Sequence, residues 1–296
     1  MPVPQRIAIT GASGLIGTAL VGHLKSEGHT VQRLVRRAPL APDEVQWDPQ
    51  SGFVDLEPLR GVDAIIHLAG VGVGDKRWNK KYKSEILNSR LLGTTAIANA
   101  VAELKPQVFI SASAIGWYGE SGNRAVVESD RAGDDFLAAV CREWEAAADL
   151  AGDVRTVKIR TGLVLDPTGG ALGRMLPLFR LGLGGKLGNG KQWWSWITLH
   201  DQIRAIVFAL ENPISGPVNL TAPNPVTNQE FTAALARAMH RPALFPAPAI
   251  ALKIALGGFS SEVLGSKRVI PHVLQEAGFT WDYPHISEAL AQLIED

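Results

Sequence analysis

The stretch Ser-Ala-Ser-Ala-Ile-Gly-Trp-Tyr-Gly (111–119) follows an apolar run and ends on one of only three tyrosines in the chain. Ser113 and Tyr118 are the hydroxyls best placed there to meet a substrate beside a cofactor. A strand leaving a core through a tight turn is the plainer alternative. A free tyrosine with a pKa of about 10 is a poor base at neutral pH, so a neighbouring cation would be needed to activate it. A second chemical pattern lies at the N-terminus, where Gly11, Gly14 and Gly17 form G-x-x-G-x-x-G around Ser13, Leu15 and Ile16. One glycine permits the turn, one lets backbone approach a pyrophosphate, and one lets helix and strand pack closely.

These patterns need elements to hold them. Ile7 and Ile9 mark a short buried strand before the glycines, and Leu15, Ile16, Leu20 and Leu24 then recur at helical spacing up to Gly28. The helix start offers free N–H groups and a positive dipole end to phosphates. The next strand, TVQRLV, ends among Arg33, Arg36 and Arg37, with no acid before Asp43. A site for NAD places Asp or Glu at that point to bind the ribose, whereas guanidinium suits a 2′-phosphate. Arg36 and Arg37 are therefore expected to select NADP(H).

VDAIIHLAG (62–70) reads as another buried strand, in which Leu68, Ala69 and Gly70 would let a cofactor lie against the backbone. His67 within it reads as a core histidine. A long helix over 84–104 and a strand over 106–113 follow. Alternating strands and helices argue for an α/β fold with a doubly wound parallel sheet of Rossmann type. Ligands of such sheets sit at the carboxyl ends of strands, where Ser111, Ser113 and Tyr118 fall.

The totals narrow the class. The chain has 296 residues, with 29 Lys+Arg against 29 Asp+Glu. Zero net charge removes the electrostatic footprint of a nucleic-acid or anionic-membrane binder. One cysteine, Cys141, excludes an internal disulfide and suits a reducing compartment. No secretory signal is visible and the run APAIALKIALGGF is too short to span a bilayer, so a cytoplasmic protein is expected. Seven scattered histidines give no metal-ligand spacing, so no metal is expected, and no G-x-S-x-G elbow occurs.

TGASGLIG (10–17), HLAG (67–70), SASAIGWYG (111–119), KIRTGLVL (158–165) and WITLHDQIRAI (196–206) together resemble the extended short-chain dehydrogenase/reductase superfamily. RWN…K…I..SR (77–90), GLVLDPTGGALGRMLPLFRLGLGG (162–185), GPVNLTAPNPVTNQEF (216–231) and S-x-R-V-I-P (266–271) resemble more closely its atypical "epimerase family" branch. The likeness runs nearly the full length. It implies a nucleotide domain over 1–165, with 196–222 returning to it, and a smaller C-terminal α/β substrate lobe from 166–195 and 223–296. It also implies that the acid and arginine of E-x-x-x-S-R, here Glu85 and Arg90, reach the cofactor, and that Leu163 lines its path. A surface ion pair is the alternative for Glu85 and Arg90.

The superfamily further implies a Tyr-x-x-x-Lys pair on the helix after SASAIGWYG, and this chain has none. Tyr82, Tyr118 and Tyr283 are followed four residues later by Ile86, Gly122 and Ser287. Aligned on its Trp-Glu end, the helix DDFLAAVCREWEAAADL offers Leu137 and Cys141 instead. Three readings stay open: substitute chemistry through Tyr118 and Ser113, with Asp134, Asp135 and Cys141 behind them, NADPH binding without turnover, or an acceptor that needs little acid assistance. An oxidoreductase or epimerase-like enzyme on an unidentified small molecule is the leading expectation, with a homodimer left open. In the second half, the stripe Met175, Leu176, Phe179 and Leu183 reads as core. Thr227 to Glu230 reads as a capping box, and a His-Asp cap starts the helix after 198.

Overall fold

The computed structural model describes residues 3–295. Its centre is an eight-stranded sheet. In chain order its strands are β1 (Arg6–Thr10), β2 (Thr30–Val35), β3 (Glu44–Asp48), β4 (Phe53–Val54), β5 (Ala64–His67) and β6 (Val108–Ala114). After the short β7 (Ala125–Val126) come β8 (Arg155–Thr161) and β9 (Leu163–Asp166), then β10 (Trp193–Trp194), β11 (Trp196–Thr198) and β12 (Gly216–Leu220). β13 (Val226–Thr227) and β14 (Arg268–Val269) complete the set. The sheet order is β12-β8-β6-β5-β1-β2-β3-β4, and every neighbouring pair is parallel except β3 with β4.

The chain winds outward from β1 to β4, then returns to the other side of β1 at β5. That reversal opens a crevice at the carboxyl ends of β1 and β5. Strand alternation supplies both faces: Ile7, Ile9, Ile66 and Ile110 go to one core, while Ala8, Ile65 and Phe109 go to the other. Helices α1 (Leu15–Ser26) and α5 (Leu199–Glu211) cover the first through Leu20, Leu24, Ile206 and Leu210. Helix α2 (Lys80–Leu104) covers the second through Ile97 and Val101, with α3 (Phe136–Ala148) against it.

The lobe holds α4 (Gly170–Arg180), α6 (Asn228–Ala238), α7 (Ala249–Leu256), α8 (Ser260–Leu264), α9 (His272–Glu276) and α10 (Ile286–Glu295). Leu176, Phe179, Trp196, Phe231 and Leu290 form its own core. Leu183, expected in the same stripe, lies beyond the end of α4 and is 50% exposed. Thr227 and Glu230 form the reciprocal capping box at α6. The cap of α5 is Thr198, whose hydroxyl accepts from the Asp201 amide, rather than the His-Asp pair expected. Among the described residues no helix is long and apolar enough to cross a membrane.

Candidate functional site

At the carboxyl ends of the central strands lies a cavity of about 370 Å³. Gly11, Gly14, Leu15, Ile16 and Gly17 form one wall. The wall exists because these glycines carry no Cβ. Gly11 takes φ +70°, and a Cβ there would sit 2.8 Å from the Leu68 carbonyl carbon. A Cβ on Gly17 would sit 2.1 Å from the Gly11 carbonyl oxygen. Gly14 starts α1 with no side-chain cap and no acid in the first turn. The first amides of the helix therefore keep their donors for a ligand. Ser13 is exposed on the same turn.

Leu68, Ser113, Leu163 and Val164 form the opposite side, with Trp144 from α3 and Gly170 and Ala171 from the start of α4. The structure thus gathers the glycine loop, Leu68, Ser113 and Leu163 as the sequence expects. Trp144, Thr161 and Gly162 were not expected there. In the sequence the Trp-Glu pair marks only the end of the α3 helix. Ala69 and Gly70 follow Leu68 in the adjoining segment, and a Cβ on Gly70 would stand 3.6 Å from the Arg90 guanidinium carbon. Arg90 is buried, donates to the Val71 and Ile86 carbonyls at 2.9 and 3.1 Å, and lies 4.7 Å over the Trp144 ring. Among the described residues no carboxylate pairs with it, and burial lowers its pKa.

Tyr118 is elsewhere. Its ring is 3% exposed and absent from the cavity wall. Its hydroxyl donates to Asn219 Oδ1 at 2.7 Å and accepts from Arg160 Nη1 at 3.1 Å. Burial pushes its pKa up to about 12 against the opposing pull of Arg160. The expected reacting tyrosine is thus part of an interior network. Arg160 forms two hydrogen bonds to Glu145, at 2.8 and 2.9 Å, and stacks 3.9 Å over Trp117. Burial alone would lower the Arg160 pKa, but the bonds and charge of Glu145 outweigh it and raise it.

Ser113 does face the cavity, yet its hydroxyl donates to Glu145 Oε1 at 2.7 Å. A carboxylate held by an arginine only accepts, so the single Ser113 proton is committed and its oxygen can only accept from a ligand. Ser111 is buried in mid-strand opposite His67 and Lys158, away from the cavity wall. Cys141 is buried, its thiol 3.6 Å from the Ala114 carbonyl and pushed up to about 12 by burial. Leu137 packs beside Gly116. His67 is sealed between Thr10 and Thr94 hydroxyls at 2.7 and 3.0 Å, and burial lowers its pKa to about 3.

The arginines at the end of β2 divide. Parallel pairing sets Arg33 beside Glu44. Arg37 makes a bidentate pair with Glu44 at 2.7 Å, and Arg33 makes one with Asp43 at 3.0 and 2.8 Å. These bonds hold both carboxyl groups down to about 2, through Arg37 and the Leu40 amide for Glu44 and through Arg33 for Asp43. Arg37 is therefore engaged by its own chain, contrary to expectation, and of the three arginines only exposed Arg36 has no partner among the described residues. Glu85 faces solvent and pairs with Lys76 at 3.3 Å, so it does not join Arg90.

The sequence profile described as the NAD-dependent epimerase/dehydratase family matches residues 7–221, and a domain of unknown function (DUF1731) matches 247–293. The chain belongs to the NAD-dependent epimerase/dehydratase family. Among its relatives, epimerase family protein Mb2239 of Mycobacterium bovis is 46% identical over 288 residues, covering 96% of each chain. The crystal structure of human epimerase family protein SDR39U1 with NADPH matches at a TM-score of 0.91 and 34% identity, covering 98% of this chain and 99% of that one. A nucleoside-diphosphate sugar epimerase from Corynebacterium glutamicum matches at 0.78 and 37%, with 99% of this chain spanning 58% of that one. Both solved structures align with nearly the whole of this chain.

Proposed function

We propose that this epimerase-family protein binds NADPH in the cavity and serves reduction of an acceptor that needs no proton from a tyrosine. NADPH in the human relative supports the cofactor, as do the glycine cradle and the uncapped helix start here. The first amides of α1 would hold the pyrophosphate, Arg36 the 2′-phosphate, and Leu68, Ala69, Gly70 and Leu163 the ribose path. Arg90, through its stack on Trp144, stiffens the wall beside that path. Bound NADPH supplies a hydride donor.

One observation carries the choice of chemistry: the helix on which the family resemblance expects a tyrosine and a lysine has Leu137 and Cys141 at those positions, and among the described residues no tyrosine, lysine, histidine or carboxylate lines the cavity. Tyr118 is sealed and pushed up to about 12, and Ser113 has spent its proton on Glu145. Sugar epimerisation requires a base to draw a proton from an alcohol, and this wall offers none. An electron-poor or conjugated acceptor takes its proton from water after reduction and needs no such group.

The test is NADPH oxidation across quinones, conjugated enones, simple ketones and sugar nucleotides. The proposal expects turnover confined to the first two classes and unchanged in Tyr118→Phe. Turnover of simple ketones that Tyr118→Phe abolishes would sink it. Tight NADPH binding without oxidation of any acceptor would assign a sensor or partner-binding role instead.

A further inference from the structure

The lobe carries an apolar face that none of the described residues covers. Helix α7 reads AIALKIAL, and none of its eight residues is buried. Ile250 and Ile254 are 74% and 70% exposed and share one side of the helix with Lys253. Leu244 and Phe245 come just before it, both largely exposed. A short backbone ladder joins this segment to the loop after α4: Phe245 N to Gly184 O at 3.2 Å, and Ala247 N to Lys186 O at 2.9 Å. That ladder brings Leu181 and Leu183, also exposed, alongside. Single exposed apolar residues are ordinary, but a contiguous group marks a contact surface.

Charge indicates what makes the contact. No aspartate or glutamate occurs from 167 to 200 or from 231 to 261, where the chain's average would place roughly six. Arg180, Lys186, Arg241 and Lys253 stand in these segments without an acidic partner among the described residues. Zero net charge hides this segregation. A second copy docking by the same face would press like cations together with no acid to offset them. The occupant must be both apolar and anionic. At eight residues, α7 is far too short to span a bilayer and would lie in its plane.

We propose that this face docks on an anionic lipid bilayer, with Phe245, Ile250 and Ile254 entering the acyl boundary and Arg180, Lys186, Arg241 and Lys253 meeting the headgroups. Such a surface combines an apolar layer with the charge the face lacks. The test is co-sedimentation of the full chain with phosphatidylglycerol–phosphatidylcholine vesicles against phosphatidylcholine alone. Binding is expected only to the anionic vesicles, weakened by salt. Lys253→Glu should weaken it roughly fivefold, and the double change Ile250→Asp, Ile254→Asp by roughly tenfold or more, with NADPH affinity unchanged in both. Absence of binding, equal binding to neutral vesicles, or indifference to these substitutions would overturn the proposal. A solution dimer that the same substitutions dissociate would overturn it too and assign the face to a second copy.

Discussion

Arg160 shows how much a single interior group can hold. It ties Glu145 of α3, Tyr118 and the Glu128 carbonyl together, while Glu145 in turn holds Ser113. Replacing Arg160 by Met strands a buried carboxylate, and urea unfolding should show a loss of about 3–5 kcal/mol. Tyr118→Phe leaves the Asn219 amide oxygen and one Arg160 N–H unpaired, so about 1–3 kcal/mol is expected, with the NADPH dissociation constant unmoved. Arg36→Ala should weaken NADPH at least tenfold and leave NADH unchanged by calorimetry; equal losses for both would remove Arg36 from the 2′-phosphate. His67 sets a pH dependence. Its folded pKa of about 3 lies below the ordinary 6.5, so the unfolded chain takes up the proton first on acidification. Stability is full above pH 6.5 and should fall by about 1.4 kcal/mol per unit towards pH 3. In His67→Asn that slope should disappear, leaving only the carboxylate contribution at lower pH. The sequence marked Tyr118 by its place after a strand, but nothing local could show that Arg160 and Asn219, both distant in the chain, claim its hydroxyl.

At the scale of elements, the strand–glycine–helix unit was fully legible, because each glycine answers a steric need that recurs whenever backbone must approach a phosphate. Gly17→Ala places a methyl on the Gly11 carbonyl. It should abolish NADPH binding and lower the melting temperature, whereas Gly22→Ala on the open face of α1 should do neither. The arginine code at the end of β2 was only half legible. Three guanidinium groups can be counted in the sequence, but pairing with β3 decides which of them stays free. The alternation of EVQWD, with Val45 and Trp47 buried, was the available signal for that strand. Likewise α3 was readable as a helix and as the place of a missing dyad. The role of its Trp144 depends on packing against Arg90, which sequence spacing does not reveal.

Taken whole, the nucleotide domain and the lobe are stitched rather than hinged. β14 pairs with β7, Leu274 of α9 sits in the main core, and Glu128 Oε1 accepts from both the Asn219 and Val273 amides. A single unfolding transition is therefore expected, with fluorescence and far-UV signals coincident. Leu274→Ala should lower both by about 2–5 kcal/mol, and two separated transitions would show the lobe to be independent. Fold class and the steric form of the glycine turn were legible at this scale because they rest on local pattern. The two acid-free segments can be counted in the sequence, but that they lie side by side cannot, since the backbone bonds joining 184–186 to 245–247 are formed only in the fold.

The crowding around Arg90 limits what position 141 can hold. Arg90 and Cys141 lie close enough that each one's charge would affect the other's ionisation. A lysine placed at 141 would bury a second cation beside the first, so Cys141→Lys alone should unfold the chain more readily than Cys141→Lys together with Arg90→Met. Position 141 is thereby shut to a lysine for as long as a buried guanidinium occupies its neighbourhood.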